Sequence, residues 1–429
     1  MPRHPHPSRA VAARDWVWRD FQWVSLVGPV TATEPASYRA ALAALMAADP
    51  DHPLVCRLDR DRGRWVPVPP ARRSAHLAAM VVRLDTASPA GAAEDLMRAP
   101  LDDVPFRIAL ADGILGFRIA HSLGDVRAAY DIFGAILDAT ATDGTPSALL
   151  EPSEPQPMRT ALTRTFGRDL RRIQAVRATR NRPAAPRRPS QPWQPSYAVE
   201  TVSGQAPALR AMKAWRRDHA SGVSITSLLY VAVCQALVEV GLAPAWDRAG
   251  SLFDLRRYVG QRVRVDGNMV SASGRRFTDL TDPAAVQQDL QAEGESGLPL
   301  LAAAEWIAID AVKWRLRPIV SRLRPQAGIV DRVPVPAAPE LSLNSMGRVR
   351  AWPAVPWSAP ESDRWWLVAG EAPAPEAMMV AVHEDGANFH VTMSFHESTF
   401  QRSLVAQALS RVVQQPAELL EAAAVRRTA

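Results

Sequence analysis

The residues of this chain best placed to do chemistry are His121 and Asp125, in the run His121-Ser-Leu-Gly-Asp125. An imidazole titrates near neutral pH, so a histidine held at the edge of a cleft can take up and release a proton during a reaction. The same five residues also have a purely structural reading. Aspartate ahead of a helix is a favoured N-cap, because its carboxylate accepts a hydrogen bond from a first-turn N–H. Gly124 can serve a tight turn, and His121 can be a hydrogen-bonded core histidine. At this level both readings stand.

The elements around the run determine how His121 would be held. Residues Pro105 to Leu137 read as strand, two-residue turn, strand, polar knot and helix. Phe106, Ile108 and Leu110 alternate with polar or small residues. Asp112-Gly113 supplies the positive φ angles of a tight hairpin, and Leu115, Phe117 and Ile119 resume the alternation. From Val126 the period lengthens to that of a helix, with Tyr130, Phe133, Ile136 and Leu137 recurring at helical spacing. His121 therefore falls where a core strand ends, and Asp125 where a helix begins.

Other constellations are weaker. His383, His390 and His396 lie close in sequence, but the alternation of Phe389, Val391, Met393 and Phe395 puts His390 on a polar strand face, and no metal site is expected. No GxSxG, HExxH, Walker or GxGxxG pattern occurs. The 13 tryptophans, among them Trp352, Trp357, Trp365 and Trp366, are read as packing residues rather than as the lining of an acyl channel.

A chain of 429 residues exceeds the size at which one core keeps growing, so two domains are expected. With 47% hydrophobic and 22% charged residues it is composed like an ordinary soluble protein. The net charge of +6 is carried by arginine, the only lysines being Lys213 and Lys313, and reads as compositional bias; no nucleic-acid partner is expected. Cys56 and Cys234 stand far apart in apolar surroundings, as small buried hydrophobes, which fits a reducing cytoplasm. The first residues carry no apolar signal core, and the apolar run Thr226 to Trp246 is broken by Gln235 and Glu239. A cytoplasmic protein without membrane insertion is expected.

Along the chain, a strand at 21–30 and a helix at 37–48 precede paired strands at 54–58 and 64–68, and a further strand ends near Leu84. One arginine-heavy helix is expected from Met158 to Arg180, its stripe formed by Leu162, Phe166, Leu170, Ile173 and Val176. Pro183, Pro186, Pro189, Pro192 and Pro195 then recur every third residue, the turn of a polyproline II helix, which makes 183–196 a semi-rigid linker. It divides residues 1–182 from 197–429. The second half holds strands at 197–202, 251–255 and from 267, helices at 208–219, 226–240, 283–291 and 300–323, a closing hairpin at 378–395 and a helix at 399–413. The mixture of strands and helices in both halves predicts an α/β protein.

His121-Ser-Leu-Gly-Asp125 resembles the HxxxD signature of the acyl-CoA-dependent acyltransferases, a superfamily that includes chloramphenicol acetyltransferases and peptide-synthetase condensation domains. The order of the later segments adds to the likeness. Gly222-Val-Ser-Ile-Thr226 with the apolar run after it, Asp254-Leu-Arg256-Arg257, Gly267-Asn268-Met-Val-Ser271 and Ser342-Leu-Asn344-Ser345-Met-Gly347 are similar to segments of the wax ester synthase and polyketide-associated branches. The resemblance spans roughly residues 24–413. It implies two chloramphenicol-acetyltransferase-like domains, each a mixed β-sheet with flanking helices, and an active site at their interface.

The resemblance also implies a reaction. An acyl group would pass from an acyl-CoA or acyl-carrier-protein thioester to a hydroxyl or amine acceptor, in specialised metabolite or lipid synthesis. No cofactor is implied, the CoA- or phosphopantetheine-bound acyl group being a co-substrate. His121 would be the general base and proton donor to the thiolate. Asp125 would orient the loop by pairing with an arginine, Arg256 or Arg257. Asn344 and Ser345, and more weakly Asn268, would supply the oxyanion donor that such a reaction needs. Two departures stand out. Many relatives read HHxxxDG where this chain has Ala120 and Val126, and the DFGWG pattern of the plant branch is missing. A β-branched residue in place of glycine motivates the alternative, a non-catalytic condensation-like protein that binds a carrier domain or ligand.

Overall fold

In the computed structural model the described residues are 8–86, 88–100, 102–179, 188–245, 249–260, 263–274, 277–323, 331–349, 352–385 and 388–428. The strands of its two main sheets, in chain order, are β1 (Gln22–Gly28), β2 (Val81–Arg83), β3 (Phe106–Ala111), β4 (Ile114–Ala120), β5 (Tyr197–Gly204), β6 (Gly250–Asp254), β7 (Val270–Gly274), β8 (Glu340–Arg348), β9 (Trp365–Gly370), β10 (Ala377–Glu384) and β11 (Phe389–His396). Two helices matter most below, α1 (Val126–Ala141) and α2 (Ile225–Glu239). The architecture is mixed α/β.

The chain groups into two compact units that are not its two halves. The first comprises Met1–Thr160, Val259–Met269 and Ala351–Gly370; the second comprises Ala161–Tyr258, Val270–Arg350 and Glu371–Ala429. The first unit is built on a five-stranded sheet in the order β9-β1-β4-β3-β2. Strands β3 and β4 form the expected hairpin, Ala111 opposite Ile114, with Asp112-Gly113 as its loop. Only Gly113 of that pair is left-handed, at φ 69°, so the turn needs one positive φ rather than two. Phe106, Ile108, Phe117 and Ile119 are fully buried, as are Phe133 and Ile136 of α1, which makes this the core against which the polar knot is braced. Strand β9, which the sequence did not reveal, pairs antiparallel with β1 and completes the sheet from a distant part of the chain. Trp366 is buried on it, its indole N–H donating to Ser25 Oγ at 2.9 Å, and Trp352 packs edge-on to Tyr130 at 5.0 Å. These tryptophans are packing residues.

The second unit holds a six-stranded sheet in the order β7-β6-β8-β10-β11-β5. Its core lies between the apolar face of that sheet, with Leu341, Leu343, Val380, Phe389, Val391, Met393 and Phe395, and α2, which is buried from Ser227 to Leu237. A helix apolar on nearly all sides needs cover all round. The helices Pro283–Ser296, Arg402–Gln414 and Pro416–Thr428 provide it, the last of them unexpected from the sequence.

Two expectations change. The arginine-heavy helix is two helices, Pro157–Phe166 and Leu170–Ala178, because Gly167 adopts φ 57° and Asp169 caps the second through a 3.0 Å bond from the Arg172 N–H. Leu170, counted in the apolar stripe, is 70% exposed as a result. The proline run is not a bare spacer in its described part. Ser190–Pro192 pairs antiparallel with Arg332–Pro334, and the Arg188 guanidinium forks onto the Glu376 carboxylate at 2.9 and 2.6 Å, which ties the run into the second unit. Residues 183–187 of the expected linker and Gly386 of the closing hairpin lie outside the described residues.

Candidate active site

Strand β4 delivers His121 as the sequence suggests. The main chain stays in sheet-like register one residue beyond the strand, since the His121 N–H donates to the Phe21 carbonyl at 2.8 Å. Its own carbonyl accepts from Asn268 Nδ2 at 2.7 Å. The imidazole is thus tethered through its backbone on both sides. Among the described residues Nδ1 is buried with no hydrogen-bond partner, while the residue as a whole keeps some exposure. The ring lies face to face with the Trp18 indole, 4.4 Å between centroids at 13°.

Asp125 does what the structural reading said, and more. It is the N-cap of α1, Oδ1 accepting from the Ala128 N–H at 3.1 Å. Its second oxygen accepts from the Met269 N–H at 2.8 Å, so one buried carboxylate joins the helix start to the segment before β7. Gly124 is needed for this closeness. A Cβ there would lie 2.8 Å from that of Ala128. Val126 is simply the first residue of α1, and among the described residues the only non-glycine with positive φ is Asp143. The strain that a β-branched residue would suffer at a glycine position therefore does not arise.

Asn268 sits between these anchors and Asp15. Asp15 Oδ1 accepts from the Asn268 backbone N–H at 2.7 Å and from its Nδ2 at 3.1 Å. With Nδ2 also bonded to the His121 carbonyl, both hydrogens of the amide have acceptors. Its geometry is that of a brace for the histidine loop rather than of a free oxyanion donor. Burial of Asp15 pushes its carboxyl above the usual carboxylate range, against the opposing pull of Arg14 and Asn268. Burial likewise lowers the His121 pKa from its ordinary value, partly offset by its own carbonyl, Asp125 and Asn268. The ring is therefore neutral at neutral pH, with a lone pair to accept a proton.

The remaining candidates belong to the second unit. Asn344 and Ser345 are neighbours on β8, paired with Ala381 and Val382 of β10. Strand alternation puts them on opposite faces. Ser345 follows the buried Leu341 and Leu343 and hydrogen-bonds through Oγ to Thr226 Oγ1 of α2 at 2.8 Å, so it faces the helix layer and its hydroxyl serves that junction. Asn344 points to the other face. Arg256 is buried and reaches Asp254 Oδ1 at 3.4 Å, whereas the exposed Arg257 lies against Tyr258 and Gly294. His390 lies on the polar strand face with Thr392 and Ser394, and that face is buried, the ring bonded to Ser203 Oγ and Asp385 Oδ2. Among the described residues no cluster of acidic, histidine or cysteine side chains is arranged for a metal, and no helix is long and apolar enough to cross a membrane.

No family model matches the chain, and no curated protein matches it by sequence. Solved structures do match in three dimensions over nearly the whole length. The trichothecene 15-O-acetyltransferase of Fusarium sporotrichioides aligns with a TM-score of 0.60 at 12% identity, covering 96% of this chain and 95% of that one. The first condensation domain of the CDA synthetase aligns at 0.57 and 13% identity, covering 97% of each chain. Polyketide synthase associated protein 5 of Mycobacterium tuberculosis aligns at 0.53 and 14% identity, covering 96% of this chain and all of that one. The chain has the condensation-domain fold. This is the two-domain, chloramphenicol-acetyltransferase-like architecture that the resemblance implied.

Within the condensation-domain fold, the structure brings together His121, Asp125 and Asn268 in one unit and adds two residues that sequence reasoning missed, Asp15 and Trp18. Their only sequence signal is the aromatic-rich run Asp15-Trp-Val-Trp18 shortly before β1.

Proposed function

We propose that the protein is an acyltransferase that moves an acyl group from a CoA- or carrier-protein-bound thioester to a hydroxyl or amine, with His121 as general base. One observation carries this reading: an imidazole kept neutral by burial, tethered through its backbone at the strand-to-helix junction, with Nδ1 sealed and the other nitrogen left to work. A base needs a lone pair in a fixed place, and this arrangement supplies it. The fold shared with an acetyltransferase and with condensation domains supports the same chemistry. That the starter condensation domain of rhizomide synthetase was solved with C8-CoA and Leu-SNAC supports a thioester donor.

In this mechanism His121 Nε2 takes the proton from the acceptor as it attacks the thioester carbonyl, then returns it to the departing thiolate. The charge that develops on the carbonyl oxygen calls for a donor, worth roughly 3 kcal/mol in comparable sites. Asn344 is proposed for it, since Ser345 is engaged with Thr226. Asp125 holds the loop by capping α1 and binding the Met269 N–H, and Arg256, the buried one of the two arginines, is its proposed ion partner. A thiol-release assay tests the reading, with a panel of acyl-CoAs, carrier-bound acyl groups and simple alcohol or amine acceptors, run beside His121→Ala. Acceptor-dependent release that disappears in the variant is expected. Release that is undiminished by the substitution, or binding of carrier protein without any release, would replace the enzyme by the binding protein.

A further inference from the structure

Asp15 and Trp18 move no proton in the scheme above, yet both close on His121 from one short segment, the helical turn Ala13–Trp16 and the two residues after it. Among the described residues the buried Nδ1 of the imidazole has no partner at hydrogen-bonding geometry, although its own carbonyl and Asn268 lie near enough to raise its pKa, so no well-formed hydrogen bond there sets the angle of the ring. The indole face does, at 4.4 Å and nearly parallel, and Trp18 is itself 8% exposed and held edge-on by Phe21 at 5.7 Å. An aromatic face attracts a cation more than a neutral ring. The stack therefore favours the imidazolium, the form that His121 takes at neutral pH while it carries the acceptor's proton.

The second contact acts on the backbone. Asp15 Oδ1 takes two bonds from Asn268, and Asn268 Nδ2 in turn donates to the His121 carbonyl. The chain bends tightly over this carboxylate. Gly267 is left-handed at φ 75°, and a Cβ there would stand 2.7 Å from Asp15 Oδ1. Resting on the reading of His121 as the base, we propose that Asp15 and Trp18 form a two-point clamp: the indole fixes the plane of the imidazole and supports the charge it takes up, and the carboxylate, through Asn268, fixes the carbonyl of the same residue. Both are positioning residues. Among the described residues the charged group that acts on the ring is Asp125 at the start of α1, while Asp15, with Arg14 beside it, acts on Asn268.

Titration of the histidine ring nitrogens by NMR tests the clamp on the full chain, the His121 signals being assigned by their loss in His121→Asn. Trp18→Leu keeps an apolar neighbour and removes the aromatic face. The His121 midpoint is expected to fall by roughly half a pH unit, with Trp18→Phe in between, as expected of a cation–π term. A midpoint that stays or rises in Trp18→Leu, as it would if the indole merely excluded water, overturns this arm. Trp18→Phe carries the test should the leucine variant not fold. Asp15→Ala is expected to broaden or split the His121 signals as the carbonyl anchor is lost. Asp15→Asn, whose amide oxygen can accept the same bonds, restores one sharp set. Single sharp signals in Asp15→Ala, or no rescue by asparagine, overturn the second arm. These readings do not require turnover, so they judge the clamp even if His121→Ala proves as active as the wild type, a result that would remove the base and leave the clamp.

Discussion

His121 and His396 are two histidines at the ends of core strands, the first half-buried and the second buried, and their fates differ. Burial lowers the pKa of both. His396 has both ring nitrogens committed, Nε2 to the Ala372 carbonyl at 2.9 Å and Nδ1 to the Ser196 N–H at 3.2 Å, and Trp193 meets it edge-on at 84°. Its tautomer is fixed and its lone pair is spent. His121 is held instead through its backbone and by a parallel indole, and among the described residues its buried Nδ1 has no hydrogen-bond partner at bonding geometry. The difference teaches that a shifted pKa alone does not free a ring to act as a base; the role proposed for His121 needs a ring anchored by something other than its nitrogens.

The comparison breaks first at His121. Replacing it with alanine should cost about 10²–10⁴-fold in kcat, the usual contribution of a positioned general base, whereas His396→Gln should leave kcat of the folded fraction near wild type. Next come the two neighbours on β8. Asn344→Ala should lower kcat by about 10²–10³-fold, as loss of one oxyanion donor does, and Ser345→Ala should cost only about 1 kcal/mol of stability for its bond to Thr226. Equal activity losses in the two would return Ser345 to the site. Asp125→Ala should lower the unfolding free energy by about 2–4 kcal/mol in urea titration, combining a lost N-cap with a Met269 N–H left buried and unpaired. His396→Gln should show the reverse profile, stability lost by about 1–3 kcal/mol with activity kept, because one or both of its buried partners lose their bond.

The smallest effect is shared by both histidines. Burial depresses the pKa of His52, His76, His121, His383 and His396. The unfolded chain, whose histidines titrate near about 6.5, binds more protons than the folded one between that value and the lowered ones. Stability should therefore be complete above roughly pH 7 and decline as the pH falls through 6.5 and below. A urea midpoint independent of pH over that window would mean that these rings are not held neutral.

Much of the unit that carries His121 was legible because its signals are local. Alternation wrote β3 and β4, Asp112-Gly113 wrote the loop, and the change of period at Val126 wrote α1 with Asp125 as its cap. What was hidden depends on contacts between residues far apart in the chain. Strand β9 reads as one apolar patch among tryptophans until it pairs with β1, and nothing local in Asp15 says that it will meet Asn268. The midpoint linker was legible as a composition change but did not predict where the chain divides, because Val259–Met269 and Ala351–Gly370 return to the first unit. Asn268 reads as a turn residue beside glycine and as a weaker candidate donor. Its role as a brace emerges only when its two amide hydrogens find Asp15 and the His121 carbonyl.

The most direct test of His121 as the base is the pH dependence of kcat/KM for the wild-type protein with a saturable thioester and acceptor pair, since that ratio reports the free enzyme's titrating groups. The account predicts an acid limb in which activity falls as His121 is protonated, with its midpoint below the ordinary histidine value of about 6.5. The limb should vanish from whatever residual activity His121→Ala retains. A profile flat through that range, or the same limb surviving in the variant, would contradict it.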